Sequence, residues 1–486
     1  MLHEAPQEKS SLNEAMQQDL AEYYRVPPDL VGSIISENHA GESRFFRFGS
    51  ATICYGRCQA GPNTKIAGAH LYDASRDVRL KGYEVRCPFD PSEVIDNLRK
   101  ERYVRAMSSA GTGIVRNALL LKAYYAVREL LPISVRSVFQ KVYFTGWREL
   151  RFPHWPVDFT VDTLHEYFLC LLMEANGVQR MPFIWFWPEG TRSCLVMTHD
   201  VETAVGRDFT PQLMDLDDSR GIIASFQVVP ENRYEIPDDY VQEIRTRGFE
   251  FNIHDLNHDG CLFREREEFL RRAAKINKYV RKYQARGFRS GAMYRNQEWY
   301  DAFEFSYDMS VPSVAHLEPQ RGGCCTVMPY FIGKVLELPL TATQDYSLFH
   351  ILNDYSLDLW KKQLALIGEK HGLMSFTAHP DYLIEQRARN IYEALLDYLG
   401  QMISREKIWM ALPGDVDRWW RARSQMRLVS QGNAWVIEGP EKDRARVAYA
   451  VRDRGRLTYE LPDLKTAQAC RIRFRSTSEP YSSPQV

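Results

Sequence analysis

Between residues 189 and 420, short strand-like runs alternate with amphipathic helical stretches, and this rhythm restricts the fold more than any other property of the chain. The runs are Cys194 to Val201, Ile222 to Val229, Phe249 to His254, Gly287 to Tyr294, Phe305 to Val311, Val335 to Leu340, Leu373 to His379 and Lys407 to Leu412. Helical stretches fall at Pro237 to Arg247, Glu265 to Arg286, Leu357 to Lys370 and Glu385 to Ile403. Strands alternating with helices of about 10 to 20 residues predict βα units and a mainly parallel sheet, open or closed into a barrel. In such folds chemistry gathers where the chain leaves the carboxyl ends of the strands.

The flanks have a different pattern, so three regions are expected: 1–188, 189–420 and 421–486. The first mixes short strand-like runs (Phe45 to Tyr55, Gly82 to Cys87) with helical ones, an α+β accessory region. Pro91 to Arg105 is predicted helical because Asp90 can cap it and proline suits the first helical position. Asn117 to Leu131 and Val161 to Asn176 carry apolar residues at helical spacing. The third region predicts a small β unit, with strands at Ala434 to Glu438, Arg446 to Val451 and Arg456 to Glu460 before a polar tail expected to be disordered.

Charge narrows the partners. Lys plus Arg is 62 and Asp plus Glu is 63, so no global field draws the chain to nucleic acid or to an anionic membrane. The N-terminus has no apolar signal core, and no run reaches the ~20 apolar residues that span a bilayer. The nine cysteines are odd in number, and adjacent Cys324 and Cys325 cannot readily form an ordinary disulfide, which favours free thiols. A cytoplasmic protein without a membrane span is expected.

Ionisable residues at strand ends carry the chemistry. The first run ends in His199-Asp200-Val201-Glu202, which could equally be a helix cap and a solvated loop. The third runs into His254-Asp255-Leu256-Asn257-His258. Two histidines four apart can share one face of a turn or converge in a loop, and neutral imidazoles suit Zn, Fe, Co or Ni. The alternative is a pair of ordinary surface or core histidines. Arg289 lies in the fourth run, Asp308 in the fifth, and His379 ends the seventh. Histidine is the usual acid or base near neutral pH.

The order Asp, HxxxH, Arg, Asp, His, each on or at the end of a successive strand, resembles the polysaccharide deacetylase family, the NodB homology domain of carbohydrate esterase family four. The resemblance covers residues 192 to 415 and implies a distorted (β/α) barrel of about seven strands. It makes Asp200 the catalytic base, His254 and His258 metal ligands, and Arg289 the residue that orients the base. Asp308 would support the final histidine, His379. Val201 stands where the family's metal-binding aspartate is usual, so Glu202 is the expected third ligand and Asp200 the alternative. Asp255 replaces a hydroxyl residue, Gly291 a proline and Thr377 a leucine, which marks an atypical branch.

The implied chemistry is hydrolysis of a non-peptide carbon–nitrogen bond by metal-activated water, with Zn foremost and Co or Ni as alternatives. Asp200 would take the water's proton and a cationic His379 would protonate the departing amine. The oxyanion would meet a backbone N–H near Met293 or Tyr294. The expected reaction is N-deacetylation of a sugar or glycan intermediate. A small-molecule amide or imide hydrolase is the second reading, and a catalytically silent glycan-binding or scaffold barrel the third. Trp409, Trp419 and Trp420 are either a sugar-stacking surface or core.

Overall fold

The computed structural model describes residues 19–27, 30, 32–36, 41–61, 64, 67–68, 70–109, 144, 146–432, 434–453 and 455–462. The helix expected over Asn117 to Leu131 and the polar tail lie outside these. The alternating rhythm produces an α/β unit in chain order: β1 (Cys194–Val201), α1 (Ala204–Asp218), β2 (Ala224–Val228), α2 (Asp238–Thr246), β3 (Glu250–His254), α3 (Arg266–Tyr283), β4 (Gly287–Arg289) and β5 (Tyr307–Asp308). It continues with β6 (Tyr330–Ile332), β7 (Val335–Glu337), α4 (Asp358–Glu369), β8 (Leu373–Ala378), α5 (Gln386–Glu406), β9 (Trp409–Met410) and α6 (Pro413–Gln425).

These strands form one nine-stranded sheet in the order β6-β7-β5-β4-β3-β2-β1-β8, with β9 also paired to β1. All neighbours are parallel except β6 and β7. The sheet curls, and the chain after β7 crosses the gap to the far edge: Ala342 N–H donates to Ser375 O at 3.1 Å, and Thr341 Oγ1 accepts from Ser375 N at 2.9 Å. The architecture is thus a curled, half-barrel α/β sheet that matches the expected distorted barrel roughly, with nine strands where about seven were expected. The fourth run is shorter than expected because the chain turns at Gly291–Met293, where Ala292 and Met293 both take φ of 54°.

Period-two alternation divides β1 between two cores. Cys194 and Val196 join an apolar core with Trp419 of α6 and with Phe183, Trp185 and Trp187 of the N-terminal flank. Leu195, Met197 and Val201 join a second core with Leu213, Ile244, Ile276, Leu364 and Leu396 of the surrounding helices. Thr198 and Asp200 therefore share a face with Cys194, and Glu202 continues it.

The flanks are joined to each other. Strand Val447–Asp453 pairs antiparallel with Arg180–Ile184 on one side and with Arg456–Glu460 on the other. The boundary expected at 420/421 falls inside α6. From that helix, the buried Arg423 donates to the carbonyls of Tyr23 (2.9 Å), Ile184 (2.7 Å) and Trp185 (3.0 Å). Trp419 and Trp420 are core residues, 1% and 5% exposed, so they offer no stacking surface.

The expected N-terminal helix is capped by the Asp90 carboxylate, which accepts from Ser92 N at 2.9 Å. It ends at Arg99 rather than at residue 105; Glu101 turns the chain with φ 56°, and a second helix starts at Tyr103. Among the described residues, no helix is long and apolar enough to cross a membrane.

Candidate active site

Four strand ends meet at one end of the barrel. On β1 the alternation puts Thr198, Asp200 and Glu202 on a common face while Val201 is buried with the helices. That is why an acid-x-acid spacing, and not adjacent acids, can serve one site here. Arg289, fully buried on β4, donates through Nη1 to Asp200 Oδ1 (2.8 Å) and Thr198 Oγ1 (2.7 Å). Its Nε donates to Met309 O at 2.9 Å, which fixes the fork.

His254 ends β3, and its Nδ1 lies 3.0 Å from Arg289 O. A carbonyl only accepts, so Nδ1 carries the proton and the Nε2 lone pair faces the site. His258 follows in a tight turn in which Asp255 and His258 both take φ of 55°. Its Nε2 lies 2.9 Å from Glu202 Oε1, although neither histidine's Nε2 has an aligned hydrogen-bond partner. Glu202, His254 and His258 offer ligand atoms within 4.8 Å of one another. Two orphaned imidazole nitrogens and a carboxylate form the donor set that a borderline divalent cation takes. Glu202 is the carboxylate that groups with both histidines; its Oε1 lies 3.9 Å from His254 Nε2, as Asp200 Oδ2 does at 4.0 Å, and Arg289 holds the other Asp200 oxygen.

Asp255 has a specific part in the turn. Its Oδ2 accepts from Gly291 N at 3.2 Å, and a Cβ on Gly291 would come 2.5 Å from that oxygen and 2.9 Å from His258 Cδ2. Two of the departures from the family pattern, Asp255 and Gly291, therefore fit each other. The amides of Met293 and Tyr294 close the next turn onto Ser290 O (3.4 Å) and Gly291 O (3.3 Å), so the expected oxyanion donors are engaged.

His379 follows β8, with Nε2 4.0 Å from Asp200 Oδ2 and 3.7 Å from Glu202 Oε1. The expectation that Asp308 supports it is corrected. Asp345 does so, with Oδ1 2.6 Å from His379 Nδ1 and Oδ2 accepting the His379 N–H at 2.7 Å. Asp308 instead accepts from Ser310 N (3.0 Å), Ser310 Oγ (2.7 Å) and Tyr300 OH (2.9 Å). It lies beside Glu337 on β7, whose carboxyl burial and the Asp308 charge push well above its ordinary range.

Burial opposes every charge in the site, and the neighbours decide the outcome. Burial would raise Asp200, but Arg289, His254 and His379 hold it below its ordinary value. Glu202 is likewise depressed, despite burial, by His258, His254 and His379. Burial disfavours the His379 cation, but Asp345, Glu202 and Asp200 raise it to about 10.

Outside the strand ends, His199 places Nε2 2.9 Å from Asp217 and Nδ1 3.2 Å from Ala378 O, behind the site and not in it. His316 stacks on Trp155 with ring centroids 5.8 Å apart. Cys324 and Cys325 are buried, and desolvation pushes both thiols well up. The segment that carries them is anchored to the N-terminal region. Glu101 accepts from Gly323 N (2.6 Å), Tyr103 OH donates to Gly323 O (2.7 Å), and Asp162 accepts from Thr326 Oγ1 (2.7 Å) and Val327 N (3.0 Å). Glu101 also forms a buried ion pair with Arg295, next to the Gly291–Met293 turn. This segment forms one wall of a cleft of about 530 Å3, open solvent included, beside Glu202, His258 and His379. Leu317, Glu318, Gln344, Tyr346 and Tyr382 line it, and the motifs had pointed to none of them.

No protein-family model and no curated protein matches the chain. Among solved structures, it is similar to one described as a candidate polysaccharide deacetylase from Mycobacterium smegmatis, at 16% identity and TM-score 0.40 over 52% of this chain and 98% of that one. The PuuE allantoinase structure matches at 11% identity and TM-score 0.38, over 48% and 92% of the two chains. The peptidoglycan deacetylase PdaC from Bacillus subtilis matches at 10% identity and TM-score 0.31, over 47% and 92%.

Proposed function

We propose that the chain is a metal-dependent hydrolase of non-peptide carbon–nitrogen bonds, and that it removes the N-acetyl group from a sugar or glycan intermediate. One observation carries this reading. Two orphaned imidazole nitrogens and the Glu202 carboxylate converge beside a second carboxylate, Asp200, that a buried arginine holds. The order of the sequence motifs supports the acetamide as substrate.

His254, His258 and Glu202 would hold the cation. A divalent ion there, Zn foremost, supplies Lewis acidity that lowers a water's pKa toward ~7 and polarises an amide carbonyl. Arg289 occupies Asp200 Oδ1 and keeps the carboxylate ionised, leaving Oδ2 to take the proton of the attacking water. His379 holds the opposite proton. Asp345 engages Nδ1, so Nε2 faces the cleft and donates to the departing amine, which cannot leave as an anion near neutral pH. A proton thus enters at Asp200 and another leaves from His379, and each group starts in the state its role requires.

The test is metal content per chain after mild chelation and reloading with Zn, Co or Ni, in wild type and in the His254→Ala/His258→Ala double variant. About one ion per wild-type chain, lost in the variant, is expected, together with acetate release from N-acetyl sugars by the loaded wild type only. Wild type that takes up no metal under any loading would falsify this mechanism.

A further inference from the structure

We infer that Glu318, held by Gln344, selects a hydroxyl-bearing substrate in the cleft; the inference rests on the hydrolase reading above and names its specificity group. Both side chains line the cleft with Glu202, His258 and His379, and both are buried, 8% and 7% exposed. Gln344 Nε2 donates to Glu318 Oε2 at 2.8 Å, while Oε1 has no hydrogen-bond partner among the described residues. Glu318 also makes no ion pair among them: Arg295 is taken by Glu101, and His379 by Asp345.

Glu318 Oε1 is not fully enclosed by protein but open to the cleft, so a substrate that displaces water from it must supply a donor in its place. The cleft is the side from which one can arrive. The carboxyl is also fixed in advance, because its segment is tied to the N-terminal region through Ser313 Oγ, which donates to Asp158 O at 2.8 Å, and through the Glu101 contact to Gly323 N at 2.6 Å. A rigid, half-satisfied carboxyl beside a reaction centre discriminates strongly against substrates that cannot complete it.

The missing partner is better a hydroxyl than an ammonium. The one group already on the carboxyl is a neutral amide. Burial pushes Glu318 up to about 7, so near neutrality it is partly the acid form, which both donates and accepts as a hydroxyl does. A sugar hydroxyl near the acetamide meets this requirement.

The test compares N-acetylglucosamine with N-acetylcyclohexylamine, a six-membered-ring acetamide without hydroxyls, on the metal-loaded full chain. Wild type is expected to favour the sugar by ~100-fold or more in kcat/KM. Glu318→Leu should lower that ratio by at least ~10-fold, mainly through KM, and Glu318→Gln should restore part of it. A ratio unchanged in both variants overturns the inference and leaves the hydrolase reading standing. If neither compound releases acetate, the hydrolase reading falls and calorimetric binding of the same pair tests Glu318 alone. Sugar binding that weakens ~10-fold in Glu318→Leu supports it, and binding that is unchanged, or absent in wild type, overturns it. A third arm, N-acetylethylenediamine, carries an ammonium. A Glu318-dependent preference for it over the sugar overturns the hydroxyl assignment.

Discussion

The two sides of the cleft are built in different ways. One side comes from strand ends: β1 carries Asp200 and leads into Glu202, β3 and β4 carry His254 and Arg289, and β8 leads into His379. Backbone ladders hold these residues, and their side chains contact one another. The other side, from Glu318 to Tyr346, is largely irregular chain after β5 and takes its shape from contacts with the N-terminal region, through Glu101, Tyr103, Asp158 and Asp162. The comparison teaches a division of labour. The regular side carries the clustered ionisable groups, with Arg289 holding Asp200, and the irregular side carries Asp345, which engages His379, and the Glu318–Gln344 pair.

The sharpest way to break this division is at its reactive member. Asp200→Asn is expected to lower acetate release by ~100- to 10,000-fold. A variant that keeps more than about a tenth of the wild-type rate would remove Asp200 from proton transfer.

On the other side the largest effect should be on stability. Glu101→Ala leaves the Arg295 guanidinium buried without its partner and is expected to cost about 3–5 kcal/mol in urea unfolding. A loss below ~1 kcal/mol, the size of a surface pair, would mean that the N-terminal region does not brace this wall.

Glu318 adds a pH signature. Its folded value of about 7 lies above the ordinary 4.5, so its contribution to stability is complete below 4.5 and is lost as pH rises toward 7. Glu318→Gln does not ionise. Relative to wild type it should gain, between pH 4 and pH 8, at most on the order of 3 kcal/mol. Parallel pH–stability curves would show that the wild-type carboxyl is not proton-loaded by burial.

The smallest effect separates the two candidate supports of His379. Asp345→Asn should lower acetate release by ~10- to 100-fold, the usual cost of removing an orienting partner, and Asp308→Asn by less. The reverse order would restore Asp308 to the role first expected of it.

How much of this was legible in the sequence follows the same division. Apolar runs that end in His-Asp-Val-Glu or in His-Asp-Leu-Asn-His are visible because a buried strand is continuous and apolar, and its last residues break that pattern. The βα rhythm was legible for the same reason, although β4 and β5 proved shorter than their apolar runs. Asp345 was not legible. It follows Leu-Thr-Ala-Thr-Gln in chain without periodicity, whereas Asp308 sits in an apolar run and was the natural choice. Glu318 belongs to the same class. Its partner Gln344 lies 26 residues further on and its segment is anchored through Gly323 to Glu101, 222 residues away, and no local pattern encodes those contacts.

The clamp formed by Arg423 has a practical consequence for anyone wishing to transplant the barrel. A fragment begun after residue 189 and ended beyond α6 would keep this guanidinium but lack the carbonyls of Tyr23, Ile184 and Trp185 that surround it. The indole of Trp419 would lose the Phe186 carbonyl it now meets at 2.8 Å and would face water. Ending the fragment at residue 420 instead cuts α6 before its last turn. The barrel is therefore not a cassette: any shuffling that brings it in must bring the outer layers with it.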